Sequence, residues 1–264
     1  MSENRKVRQE EASEKRMVFT STLLVLLALV SVTAATFAWF SIANRTRVKS
    51  MGMEITTGAN MRFDLDPHAT FEEYVKTLTF EQIAVRMNRE KGFDMKTVPL
   101  EPVTTSNCRS FTLENGKVVE SSKGAYLEFT LHFMAVEDMV VHLSSNNSPG
   151  QNDGTNVSSS NPQLPKAMRI GFTADGQTSV YDPGGGGGNI GKAKVFGLPA
   201  AGAMQYNESN TLFRLKKNVD KEVLVHIWLE GTDDACTDTL RGADYSIRLR
   251  FVGTDEEGNE LDGK

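Results

Sequence analysis

The chain is poor in the groups on which hydrolytic chemistry is usually built. It has four histidines, His68, His132, His142 and His226. None lies in an H-E-x-x-H stretch, which excludes the helix-borne zinc site of that protease class. No G-x-S-x-G occurs, and no Cys–His pairing has a readable context, so no nucleophile with its base can be assigned. Cysteine is scarce, with only Cys108 and Cys236. Positive charge is not in excess: the net charge is −5, and residues 1–16 hold five bases against four acids, which leaves −6 on the rest. Affinity for nucleic acid comes from Lys and Arg neutralising phosphates, so the composition gives no electrostatic reason to bind it and no nucleic-acid partner is expected. No internal repeat of solenoid length is present.

Charge of either sign is missing from Met17 to Phe40. At about 1.5 Å per residue, such a run can cross a hydrocarbon core of about 30 Å as one helix. Arg5, Lys6, Arg8, Lys15 and Arg16 precede it, against Arg45, Arg47 and Lys49 soon after, which favours an inside N-terminus. The same layout is that of a secretory leader. Both readings put the remaining chain outside the cytoplasm. The expected organisation is a cytoplasmic head 1–16, a transmembrane or signal helix 17–42, an extracytoplasmic domain 43–255 and an acidic tail 256–264 that frays. Removal of the helix would cut between Ala38 and Trp39, with Val32-Thr33-Ala34 as another weak site; retention is equally open on length. In that compartment a Cys108–Cys236 disulfide is allowed. It would close a loop of more than a hundred residues, worth about 4–5 kcal/mol in the chain-entropy model. Two thiols that never meet are the alternative, and both stay open.

The domain reads mainly as strands. Met61–Asp66, Ala125–Phe133 and Tyr245–Phe251 alternate apolar and polar side chains, the period of a half-buried strand. Asn115-Gly116 fits a type I′ turn and predicts a hairpin over Phe111–Val119. Met139–Leu143 is expected to turn back beside Ala125–Phe133, so that His132 and His142 can face one another. Thr70-x-x-Glu73 and Thr79-x-x-Gln82 fit capping boxes, predicting one broken or two short helices over 71–91. Residues 144–165 and 181–204 are expected to be long mobile loops. Many short alternating strands with polar turns predict an antiparallel β-sandwich.

Several motifs fall short of chemistry. Gly186–Ala193 nearly spells a phosphate loop, but Ala193 lacks the hydroxyl and Gly197 and Pro199 preclude the helix that must follow. Leu198–Gly202 departs from a sortase signal at Ala201. Glu230–Asp238 places four acids in nine residues but misses the EF-hand spacing. A three-histidine metal site would need His132, His142 and His226 to converge. No catalytic residue, cofactor or metal ligand is assigned.

Two islands carry a resemblance. Ala34–Ser41, followed by Ser50–Ile55, resembles the start of a group of exported or membrane-anchored Firmicute surface proteins. Val225–Cys236 resembles the same group's W-L-E-G-x-D-x-x-C signature, here Trp228, Leu229, Glu230, Gly231, Asp233 and Cys236. The leader is also similar to those of camelysin and TasA-like biofilm fibre proteins, which are cut after T-[WFY]-A. The resemblance implies an extracytoplasmic β-sandwich or jelly-roll domain and names no activity. The resulting expectation is a non-enzymatic surface protein serving envelope structure, adhesion or fibre assembly. Its partners would be the membrane, through the N-terminal helix, and itself or other surface proteins. The alternatives are a ligand- or polysaccharide-binding module, with loops 144–165 and 181–204 forming the site, and an envelope hydrolase.

Overall fold

A computed structural model describes residues 16–17, 19–28, 30, 49–92, 94–95, 97–113, 115–119, 124–145, 154–185, 190–200 and 202–261. The chain divides into two compact units, Met1–Ser41 and Ile42–Lys264. In the first, the described residues of 16–30 are helical (α1). Eight of their apolar side chains, from Met17 to Val30, are 48–70% exposed. Among the described residues no helix is long and apolar enough to cross a membrane. The anchor expected over 17–42 extends past Val30 into residues outside those described, as do the cleavage residues Ala38 and Trp39.

The second unit is mainly β. One six-stranded sheet joins β1 (Lys49–Thr57), β3 (Thr77–Thr79), β8 (Met139–Leu143), β9 (Asn156–Ser158), β13 (Phe213–Leu215) and β15 (Asp244–Thr254). Its order is β13-β8-β15-β1-β3, with β9 on β15. A seven-stranded sheet joins β2 (Met61–Asp64), β4 (Pro102–Val103), β7 (Leu127–Ala135), β10 (Met168–Ala174), β11 (Gln177–Tyr181), β12 (Lys194–Phe196) and β14 (Lys221–Glu230). Its order is β12-β11-β10-β14-β7-β2, with β4 on β14. Strands β5 (Phe111–Thr112) and β6 (Val118–Val119) form a separate hairpin.

The sheets are mixed, which corrects the purely antiparallel expectation. Strand β1 runs parallel to β15 over Lys49–Thr57, β12 parallel to β11, and β4 parallel to β14. A parallel pair cannot be closed by a tight turn and needs a long crossover, so sequence-local hairpin signals cannot report it. A second correction concerns β8. It pairs with β13 and β15 rather than with β7, which takes His142 to the opposite sheet from His132. All five residues of β8 are buried, a pattern suited to a strand covered on both faces. The connection is pinned by Asp138, which accepts from Lys216 Nζ (2.7 Å) and the Lys217 amide (2.9 Å).

Side chains from both sheets meet in one apolar cluster. The ring of Phe251 on β15 lies 5.0 Å from Phe133 on β7, 5.7 Å from Phe172 on β10 and 6.2 Å from Phe63 on β2. Such contacts contribute about 0.5–1.5 kcal/mol each beyond area burial. On β7, Leu127, Phe129, Leu131 and Phe133 face this core, while Glu128, Thr130 and His132 are half-buried on the other side.

Helix α2 (Phe80–Lys91) starts where the second capping box predicts, with Gln82 Oε1 accepting the Thr79 amide at 2.9 Å. Ile83, Ala84 and Met87 face the core. At the first box Glu73 accepts the Thr70 amide at 2.9 Å, but only a 3-10 turn, Phe71–Glu73, follows. The segment after it is β3, held by β1; the β partner overrides local helical spacing. The described parts of the two expected loops contain regular elements. Residues 144–165 contain β9 and the start of a short helix, α3 (Leu164–Ala167), while 181–204 contain β12. The tail returns to the body through the Leu261 amide on the Gly253 carbonyl (2.8 Å) and Asn60 Nδ2 on the Leu261 carbonyl.

Candidate functional site

The outer face of the seven-stranded sheet is covered over one half and open over the other. The cover is built from the described residues of 101–126, where Val103, Cys108, Phe111 and Tyr126 pack with Val180 and the fully buried Trp228 in a second apolar cluster. Phe111 stacks on Tyr126 at 4.0 Å and meets Trp228 edge-on at 5.3 Å. Gly171 makes room for the indole: a Cβ there would lie 3.3 Å from it.

The W-L-E-G-x-D-x-x-C residues build the joint beneath this cover. Glu230 is buried and accepts from Trp228 Nε1 (3.0 Å), the Thr232 amide (3.2 Å) and the Thr232 hydroxyl (2.6 Å). The Gly231 amide donates to the Val103 carbonyl at 2.9 Å. Asp233 accepts the Ala235 amide at 2.8 Å and pairs with Arg169 at 2.6 Å. Arg169, 1% exposed, is also 3.2 Å from Asp182. Asp182 in turn accepts the amides of Gly184 (2.9 Å) and Gly185 (3.0 Å), which starts the glycine-rich loop. The role is architectural: every carboxylate in the set meets a buried donor.

Both cysteines are free, buried thiols. Burial first, and then the charge of Glu230, pushes each up to about 12. They are therefore protonated and unreactive at neutral pH.

The four histidines are apportioned to separate partners. His68 lies 3.2 Å from Asp64, His132 3.0 Å from Asp220, and His226 3.0 Å from Glu128. His142 is bound by Asn210 (2.8 Å) and Thr254 (3.1 Å). Among the described residues no group of three or more His, Cys, Asp or Glu is arranged to hold a metal ion.

Two adjoining hollows, of about 750 Å³ and about 450 Å³, share Arg109, Ala174, Asp175 and Gly176, and the larger one also takes Phe213 and Arg214 from β13 of the other sheet. Three local devices shape them. First, β10 and β11 are joined by Asp175-Gly176, with φ of +51° and +75° and Ala174 opposite Gln177. Two successive left-handed residues make this the tight two-residue hairpin turn. The turn expected at Asn115-Gly116 is longer: the Leu113 amide bonds the Lys117 carbonyl (2.9 Å), and of the two residues only Gly116 has positive φ.

Second, the loop 105–110 is built on its own side chains. Asn107 Oδ1 accepts the amides of Arg109 (2.9 Å) and Ser110 (3.0 Å), and Thr105 Oγ1 accepts that of Cys108 (2.9 Å). This arrangement buries Cys108 and leaves Arg109 exposed on the rim. Third, Gly191 seats the residues after the glycine run against this loop. At φ +56°, a Cβ there would lie 1.9 Å from the Ser106 carbonyl oxygen. Lys192, Ala193 and Lys194 then line the larger hollow.

Residues 207–214 close the far wall. Asn207 caps a 3-10 turn, Glu208–Asn210, by accepting the Ser209 amide at 2.9 Å. Lys194 Nζ donates to the Glu208 carbonyl at 3.0 Å and to the Thr211 carbonyl; burial holds its pKa below the usual lysine value. Arg214 pairs with Glu208 (3.1 Å) and Glu256 (3.3 Å). No family model, curated protein or solved structure matches the chain.

The larger hollow takes residues from 181–204, one of the two loops singled out in the sequence, and none from 144–165. Arg109, Asp175, Glu208 and Arg214 were not singled out. The Asp175-Gly176 dipeptide between two apolar runs was a legible turn signal; nothing local marks Arg109 as a rim residue.

Proposed function

We propose that the chain is an exported surface protein whose body is a two-layer β-sandwich that binds and presents rather than catalyses. The observation that carries the export reading is α1. Full burial of one large apolar side chain is worth about 1.5–3 kcal/mol, so leaving eight such residues largely in water costs on the order of 10 kcal/mol. A lipid phase or removal as a leader relieves that cost. The sandwich reading is supported by the single cluster to which both sheets contribute. The test is protease digestion of intact, wall-stripped cells carrying a tag after Lys264. A tag that is cleaved supports the reading, and one that stays shielded overturns it. N-terminal sequencing of the native protein then separates a mature start at Trp39 from a retained anchor.

A ligand-binding role is the second reading, favoured by the open groove between the Asp175-Gly176 turn and Arg214. Electron microscopy of purified protein separates it from fibre assembly, which alone predicts filaments.

A further inference from the structure

The charge inside the groove is opposite in sign to that of the chain. The larger hollow contains Arg109, Lys192, Lys194 and Arg214 against Asp175 and Glu208, in a protein of net charge −5. The acids present are already engaged. Asp175 is bound by Lys221 at 2.7 Å, and Glu208 by Arg214 at 3.1 Å. Lys194 spends its hydrogen bonds on backbone carbonyls, which orient the ammonium without neutralising it. Arg109 and Lys192 form no ion pair among the described residues, and both are exposed. Arg214 is neutralised by Glu208 and Glu256, which leaves Arg109, Lys192 and Lys194 as like charges that repel one another until something negative joins them.

The rest of the wall narrows the class of ligand. Ser106, Asn107, Gln177 and Thr178 offer hydroxyl and amide groups, suited to a hydroxyl-rich partner. No aromatic face is presented: Phe213, the one ring in the wall, is 6% exposed. Stacking on a ring, the usual means of holding an uncharged sugar, is therefore not on offer. The second hollow continues past Arg109 across Thr173 and Leu224 but carries Asp220 and Glu222 against Lys221, so the excess of positive charge belongs to the larger hollow.

We propose that the larger hollow binds a strand of an acidic glycan-type polymer. Its regularly spaced carboxylate or phosphate groups would sit on Arg109 and Lys192, and its hydroxyls along the Ser106–Asn107 and Gln177–Thr178 walls. Arg109, where the two hollows meet, is the central contact. The binding site stands independently of the export reading, because it is measured on purified protein while export is measured in cells.

The test uses the full chain in uncharged detergent, titrated calorimetrically with polygalacturonate, with a poly(glycerol phosphate) chain and with uncharged dextran. At least one anionic polymer should bind and dextran should not; the preferred polymer identifies the charged group. Affinity should fall at least tenfold between 50 and 300 mM salt, since exposed charges are screened over about a Debye length. The Arg109→Ala/Lys192→Ala double variant should weaken binding at least tenfold with an unchanged melting temperature. Lys76→Ala/Lys117→Ala, two exposed cations that line neither hollow, should bind as the parent does. Absence of binding to both anionic polymers overturns the proposal. So does equal binding of dextran, or an equal loss in the control variant.

Discussion

Arg169 and Arg109 are the same side chain in opposite circumstances. Arg169 is enclosed, with Asp182 and Asp233 on its guanidinium and the carbonyls of Lys166 and Met168 accepting from Nη1. Arg109 stands on a rim that its own loop is built to hold, with no carboxylate among the described residues. The first cation is used up in joining the signature turn, β10 and the glycine-rich loop. The second is left available. Burial and pairing, rather than residue type, separate a fold-forming charge from a binding one.

The contrast can be broken by substitution. Removing one partner of a buried ion pair strands the others without water, at about 3–5 kcal/mol. Arg169→Met should therefore lower the melting temperature by roughly 10 °C at about 2–4 °C per kcal/mol, while Arg109→Met should change stability by no more than about 0.5 kcal/mol. Equal effects would abolish the distinction. Trp228→Ala should also cost about 3–5 kcal/mol, because it empties the second cluster and removes a donor from Glu230.

Gly191→Ala tests the coupling between the two regions. It combines left-handed strain with a collision against the Ser106 carbonyl, at about 1–3 kcal/mol. It should also change the amide chemical shifts of Ser106–Ser110; a silent spectrum there would show that the loops are not coupled.

A pH response is expected as well. Glu128 is held down to about 2, first by its hydrogen bond with His226 and then by Lys91. A carboxyl with a depressed folded-state pKa stabilises fully above its ordinary value of 4.5, and that contribution fades as pH falls towards 2. Glu128→Gln should flatten the acid limb of the stability profile between those values. An unchanged acid limb would assign it to other carboxylates.

Alternation along Leu127–Phe133 and the two capping boxes were legible because each depends on neighbours within a few residues. The hairpin over Phe111–Val119 was legible for the same reason, although its turn type was not. The departure of β8 to the other sheet was hidden, because nothing in Met139–Leu143 distinguishes which sheet will cover it. The separation of His132 from His142 followed from that same crossing. The signature residues were visible as a group, but their common partner Arg169 lies about sixty residues earlier and carries no local mark. The groove was the least legible feature, since its rim is assembled from four segments that meet only after both sheets have formed.

The alignment of β1 with β15 has a consequence for how the molecule is made. The opening strand of the body, from Lys49, is synthesised long before its neighbour, which begins at Asp244. Until then β1 has only the three-residue β3 to lean on. Completion of the six-stranded layer must wait for the far end of the polypeptide. Such distant pairing slows folding and leaves β1 without its long partner until β15 is made.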